Sequence, residues 1–539
     1  MQPRNRIRFG TFLILALTCV VCPALAGPSQ PIDAITLVKP GDFPPRGDFV
    51  VGYKFTVITP ITITSVGIFD RSGDGVLKGT SPIEIGVWDS MQKMIVSAEL
   101  PLSAKASKGI FYAEVKPLTL APGSYVIAYA SPEGSERYWF GAEITTAPQI
   151  RWEQGLYASG KNLVLPTNTA PGKAYFGPNF QFVPAGANYT APVSARISID
   201  APLDRAVYQR NDHNVGAIPI ACTAPASAKT LEARAVDLNT HNPACDWKAL
   251  SPGKDANSFV GDLQVAAGWY AVEVRATGDS KNGSATTESD DAGKGNSSAS
   301  PLSATVGHVG VGEVFLTCGQ SNSCNHGRPR QSPTEDCVDA CDWQSGVWRH
   351  ADDPQPGAEG DGGSPWPMLG DLLVKKYHVP VGFISVGVGA TAVEQWLPDG
   401  DLYRRIKIGL DRAGPHGIRA ILWHQGEQDS VAGTSSDEYY HALALIIARS
   451  RHDAGWQVPW GVALVSYHPS APAANYPPII AGQKLVIANE PDVFTGPSTD
   501  SFHLHDWMAD AVHFNAKGLA AHAQGWADAL APLVAKEPK

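Results

Sequence analysis

From about residue 307 the chain changes its hydrophobic period, and this change constrains the fold more than any other feature. Strand-like and helical runs follow one another: "EVFLTC", "PMLGDLLVKKY", "VGFISVG", "DLYRRIKIGLDRA", "IRAILWH", "DEYYHALALIIARSR", "WGVALVSY" and "DVFTG". Strands separated by helices are joined by crossovers, and crossovers join parallel strands. Runs such as "RAILW" are apolar without alternation, as expected of a sheet covered on both faces. Near the end, Leu519, Ala523, Trp526, Leu530 and Val534 recur at spacings of three and four, and Asn515 stands where a cap would open that helix. Residues 307–539 are therefore expected to form an α/β domain on an open parallel sheet.

Upstream the pattern is all strand, and 539 residues call for several domains. Over 27–200, "FVVGYKFTVITPITITSVGIF", "IEIGVWD", "GIFYAEV" and "GSYVIAYA" are short β-branched and aromatic runs separated by turns. They predict a β-rich, antiparallel, sandwich-like accessory domain. The stretch "ITSVGIFDRSGDGV … IGVWDS" resembles modules attached to secreted bacterial proteins, which implies no activity. "DRSGDG" lacks the full ligand series of a calcium loop and reads as a turn. Over 203–306, "AVYQRN", "LEARAVDL" and "GWYAVEVRA" predict a second, immunoglobulin-like β-domain. Its tail "TGDSKNGSATTESDDAGKGNSSASP" holds too little apolar material for a core and reads as a flexible stretch.

Residues 1–26 read as a signal peptide. Arg4, Arg6 and Arg8 precede the apolar "TFLILALTCVVC", and Ala24-Leu25-Ala26 offers a cleavage site. The apolar run is short for a membrane span. Cleavage removes three arginines and no acid, moving the formal charge from -10 to -13. A secreted or periplasmic acidic protein is a poor partner for nucleic acid or an anionic membrane. Six cysteines remain: Cys222, Cys245, Cys318, Cys324, Cys337 and Cys341. In an oxidising compartment an even count favours disulfides, with Cys222–Cys245 and Cys318–Cys324 as candidate pairs. A zinc site competes, but paired C-x-x-C spacing is missing.

In open parallel sheets functional groups collect beyond the carboxyl ends of the strands. Four such places carry polar residues. "VFLTCGQSNSCNHG" puts Ser321 just past a strand, two residues after Gly319, where a serine can act as a nucleophile if a base is near. "VGVGAT" (386–391) leaves glycine N–H groups accessible, as an oxyanion hole needs. "WHQGEQD" (423–429) supplies Gln425, a neutral donor, and Glu427, a carboxylate. "DAVHFN" (510–515) holds Asp510 and His513 three apart, so a carboxylate can orient an imidazole.

In that order, "GQSN", Gly389-Ala390-Thr391 with Trp396, "WHQGE" and "DAVH" resemble the SGNH hydrolase superfamily, in its branch of sialate O-acetylesterases and carbohydrate acetylesterases. The resemblance covers roughly 310–530. It implies a flavodoxin-like α/β fold and a serine esterase that removes acetyl groups from sugars such as sialic acid or plant or bacterial polysaccharide, without metal or cofactor. It implies Ser321 as nucleophile, His513 as base and Asp510 as orienting acid. The N–H groups of Ser321 and Gly389 and the side chain of Gln425 would form the oxyanion hole. Glu427, Asn322, Gln320 and Thr391 stand as supporting residues. Two departures stand out. Ala390 takes the second place of a usual glycine pair, and Ser323 replaces a frequent methionine, putting a second serine close to the first.

Bland readings compete at several positions. Ser321 alone could close a turn, Asp500 or Asp506 could replace Asp510, and Trp366, Trp396 and Trp423 suit either sugar rings or an ordinary core. The polar loop 350–367 is expected to rim the pocket. Two other functions stay open: a lipid or aryl esterase on the same fold, and a catalytically inactive glycan-binding protein. "HExxH", a P-loop and "G-x-S-x-G" are all missing from the sequence.

Overall fold

The computed structural model describes residues 30–170, 175–187, 189, 197–277, 302–473 and 475–534. The expected signal peptide and residues 278–301 of the expected flexible stretch lie outside them. The N-terminal part is β throughout. A five-stranded and a six-stranded sheet, both antiparallel, share one core. The first contributes Ile63, Val66, Phe111 and Phe180, and the second Tyr53, Phe55, Ile85 and Ile127. Alternation does the sorting: Tyr53 and Phe55, two apart on the strand Phe49–Val57, point to the same face. A second β region follows, in which Ile218, Ile220 and Cys222 of one sheet meet Leu231, Ala233, Val272 and Val274 of another.

The strand Ser303–Gly319 connects this region to the rest. Its first half pairs antiparallel with Gly268–Ala276, from Ser303 opposite Arg275 to Val311 opposite Gly268. Its second half pairs parallel with Val381–Ser385 and Ala420–His424. The expected boundary between residues 306 and 307 thus falls inside one strand. A buried charge cluster marks the crossing. Glu313, 0% exposed, is bonded at 2.7 Å by both Arg210 and Arg419, and Arg210 also donates to the Val534 carbonyl at the end of the last helix.

Beyond Glu313 the sheet runs in the order Trp348–His350, Val338–Cys341, Val381–Ser385, Ser303–Gly319, Ala420–His424, Trp460–Leu464, Val493–Ser498. Every neighbouring pair is parallel except the first. Helices Trp366–Tyr377 and Ala516–Val534 cover one face, packing Trp366, Leu373, Trp526 and Leu530 on Phe315, Phe383 and Leu422. Helices Asp401–Ala413, Ser436–Ala454 and Pro477–Asn489 cover the other, with Ile406, Leu443, Ile446 and Ile479 against Leu316, Ile384 and Ile421. Coverage on both faces is why these strands are apolar at consecutive positions. Leu519, Ala523, Trp526, Leu530 and Val534 are all buried, and the Asn515 side chain accepts from the N–H groups of Lys517 and Gly518 at the start of that helix.

The six described cysteines are unbridged, so the structure does not show the expected disulfides. Their sulfurs are engaged separately: Cys324 donates to the Gln320 carbonyl, Cys222 to the Phe259 carbonyl, and Cys245 accepts from the Ala235 N–H.

Candidate active site

The carboxyl ends of the parallel strands deliver the site. After the buried strand ends at Gly319, the chain turns at φ +125°, and a Cβ there would lie 2.1 Å from the His424 carbonyl oxygen. Only glycine permits so close an approach. A 3-10 turn, Ser321–Ser323, follows at once. Ser321 is 5% exposed. Ser323 is fully buried and its hydroxyl donates to the Gln320 carbonyl at 2.9 Å, so it is no rival nucleophile. The Gln320 side chain accepts from Gly426 N–H and Gln428 N–H, capping the helix Glu427–Ala432.

Asp510 and His513 form a compact unit before the last helix. Asp510 Oδ2 lies 2.9 Å from His513 Nδ1, and its Oδ1 accepts the N–H groups of Val512 and His513, each at 2.7 Å. Partial burial raises the Asp510 carboxyl. The two backbone N–H groups and the imidazole outweigh that and hold it below its ordinary value. The competing acids are committed elsewhere: Asp500 accepts from Ser466 and Tyr467, and Asp506 pairs with Lys517.

Asn322 ties the serine turn to this unit. Its Nδ2 donates to the Val512 carbonyl and to Glu427 Oε1, both at 3.1 Å. Glu427 is fully buried, and burial pushes its carboxyl from 4.5 to about 7. Beside it, burial pulls the His424 imidazole down to about 3, and His424 bonds Thr499 Oγ1 at 3.0 Å. Glu427 is thus a buried acid beneath the serine turn, separate from the Asp510–His513 pair.

Two of the expected positions point into the interior. Gln425 is fully buried, and its Nε2 donates to the Thr391 carbonyl at 2.9 Å and to Asp429. Its N–H groups face inward, toward the Thr391 loop and Asp429. Thr391 in turn accepts from Trp396 Nε1 at 3.0 Å. Trp366, Trp396 and Trp423 are each 0% exposed, so they belong to the core and offer no face to a sugar. Trp366 supports the site from below, donating to the Ser323 carbonyl.

The structure also gathers residues that the motifs did not single out. His326 stacks on His513 with ring centroids 5.2 Å apart. Burial first, and His513 second, hold its imidazole below the ordinary value. His468 is lowered by burial and then by His513, which places it in the same electrostatic neighbourhood. Tyr467 lies flat on His503 at 3.9 Å. Glu359, on the loop 350–367, accepts the Gly389 N–H. His326 sits five residues after Ser321 in the stretch that drew attention to the serine, and its position was the only signal for it in the sequence. Among the described residues, no group of three or more His, Cys, Asp or Glu is arranged to hold a metal ion.

Residues 311–531 match the family model described as carbohydrate esterase, sialic acid-specific acetylesterase. The match begins at Val311, within the shared strand, and ends inside the last helix. A probable carbohydrate esterase of Arabidopsis thaliana is 29% identical over 75 residues, which are 14% of this chain and 29% of that relative, so the chain spans under a third of its length. A solved carbohydrate acetylesterase from Xanthomonas citri aligns at 16% identity and TM-score 0.43, over 63% of this chain and 76% of that one. A solved Arabidopsis thaliana protein aligns at 16% identity and TM-score 0.35, over 41% and 98%.

Proposed function

We propose that the esterase domain is a serine-dependent carbohydrate O-acetylesterase of an exported protein. Ser321 attacks the acetyl carbonyl while His513 takes its proton; Asp510 keeps the imidazole oriented and stabilises the imidazolium. The N–H groups of Ser321 and Gly389 hold the oxyanion of the tetrahedral intermediate. His513 returns the proton to the leaving sugar oxygen, then activates water to release acetate. The observation that carries this reading is the Asp510–His513 pair, with the neighbouring Val512 carbonyl held to the serine turn by Asn322. The sugar substrate, sialic acid or an acetylated polysaccharide, is proposed from the family whose model residues 311–531 match. Export is proposed from the pattern of residues 1–26.

The test is acetate release from a panel of acetylated glycans, with sialic acid and xylan included, by wild type and Ser321→Ala. Release that depends on Ser321 supports the proposal and identifies the substrate class. Equal release by both proteins would sink the role of Ser321.

A further inference from the structure

Glu359 stands in an unexpected place. Its carboxylate Oε2 accepts the hydrogen bond of Gly389 N–H, the group that the proposed mechanism assigns to the oxyanion. A backbone N–H has one hydrogen to give. While Glu359 holds it, a substrate carbonyl cannot, and a carboxylate at that spot opposes a developing oxyanion through like charge.

The contact is built in. Glu359 N–H donates to the Gly387 carbonyl at 3.0 Å, and the Glu359 carbonyl accepts from Asn325 N–H at 3.0 Å. Its backbone is therefore pinned between the glycine loop and the serine turn. The side chain is 51% exposed, so solvent and a substrate can reach it. His326 Nε2 is buried, has no hydrogen-bond partner among the described residues and lies 3.9 Å from Glu359 Oε2. A Cβ placed on Gly389 would lie 3.0 Å from both atoms, so the three groups converge on one point. Arg405 faces this carboxylate as well, stacked over Trp343 at 5.2 Å, without forming an ion pair with it.

We infer that Glu359 is a specificity-determining residue whose carboxylate occupies the Gly389 N–H until a hydroxyl of a sugar ester takes over its hydrogen bond. A pyranose carries hydroxyls beside the acetyl group, and each is a donor that a carboxylate accepts strongly. Binding such a substrate exchanges one charge-assisted hydrogen bond for another and frees the Gly389 N–H for the acetyl carbonyl. An aryl acetate has no hydroxyl to offer, so it must open the site without compensation. The inference deepens the proposed function and rests on it.

The experiment compares kcat/KM of the full chain on 4-nitrophenyl acetate and on a mono-O-acetylated methyl pyranoside with free neighbouring hydroxyls. Wild type, Glu359→Ala and Glu359→Gln are measured. A charge-assisted hydrogen bond corresponds to about tenfold or more in rate. Glu359→Ala is therefore expected to gain about tenfold on the aryl ester and to lose about tenfold on the sugar ester. Glu359→Gln moves both in the same directions by less. Changes of opposite sign are something that loosening the loop alone would not produce. An unchanged ratio, or parallel loss on both esters, overturns the inference while Ser321-dependent turnover by wild type still stands. Wild type without activity on either ester overturns the proposed function and the inference with it.

Discussion

Truncating Asn322 to alanine tests the link between the nucleophile turn and the histidine loop. The side chain is 5% exposed and makes two hydrogen bonds of 3.1 Å, to Glu427 Oε1 and to the Val512 carbonyl. Truncation leaves the fully buried Glu427 carboxyl without that donor, a loss of about 1–3 kcal/mol. The Val512 carbonyl is only partly buried and recovers water. Removing Asn322 Oδ1, which has no partner among the described residues, gives some energy back. The net is a destabilisation of about 2 kcal/mol, or roughly 4–8 °C in the melting temperature of a domain this size. The kinetic effect is larger in proportion, because a displacement of about 1 Å in catalytic geometry costs on the order of 100-fold in rate. Asn322 also holds the Glu427 carboxyl down, so without it that group titrates above its present value of about 7. Calorimetry and steady-state kinetics on an aryl acetate read both effects. A variant with wild-type melting temperature and wild-type kcat would refute the clamp.

Three further outcomes are expected. Glu427 is an acid whose folded value is raised from 4.5 to about 7, so its contribution to stability is complete below about pH 4.5 and declines by about 3 kcal/mol as pH rises through 7. Glu427→Gln should flatten that slope in urea titrations at about pH 5 and about pH 8, and an unchanged slope would count against the assignment. Ala390 is held at φ 53°, in the left-handed region that costs an L-residue about 1–2 kcal/mol, part of which glycine gives back through unfolded-chain entropy. Ala390→Gly should therefore stabilise the domain by about 0.5–1 kcal/mol in chemical denaturation, and a loss of stability would contradict the strain argument. Glu313→Ala leaves the buried Arg210 without its carboxylate, while Arg419 keeps Asp212, and should cost about 3 kcal/mol, read as a lower denaturation midpoint; a midpoint within error of wild type would show the cluster to be dispensable.

The motifs carried the candidate reactive groups because each proposed role demands a residue type at a fixed place relative to a strand end. Asp510 and His513, three residues apart, needed only a local turn to meet, and they do. Asn515 and the spacing of Leu519, Ala523, Trp526 and Leu530 likewise encode the last helix through local geometry. The helix Pro477–Asn489 was harder to read. "PPIIAGQKLVIAN" opens with two prolines, and its apolar residues do not gather on one clear side, so no period separates it from a loop.

Partnership over long range was settled in three dimensions. Gln425 is polar and sits at a strand end, as an oxyanion donor would. Its amide turns inward because Thr391, 34 positions away, presents a carbonyl there, with Asp429 beside it. Trp366, Trp396 and Trp423 could have faced a sugar or a core, and packing on the sheet decided for the core. Glu359 reaches Gly389 because its backbone is hydrogen-bonded to Gly387 and Asn325, which belong to the loops of two different strands. The sequence by itself determined the residue types and local turns of the proposed reaction, since these depend on neighbours within a few positions. Which donor stays free for the substrate depends on contacts between distant strands, and so the tertiary structure alone decided it.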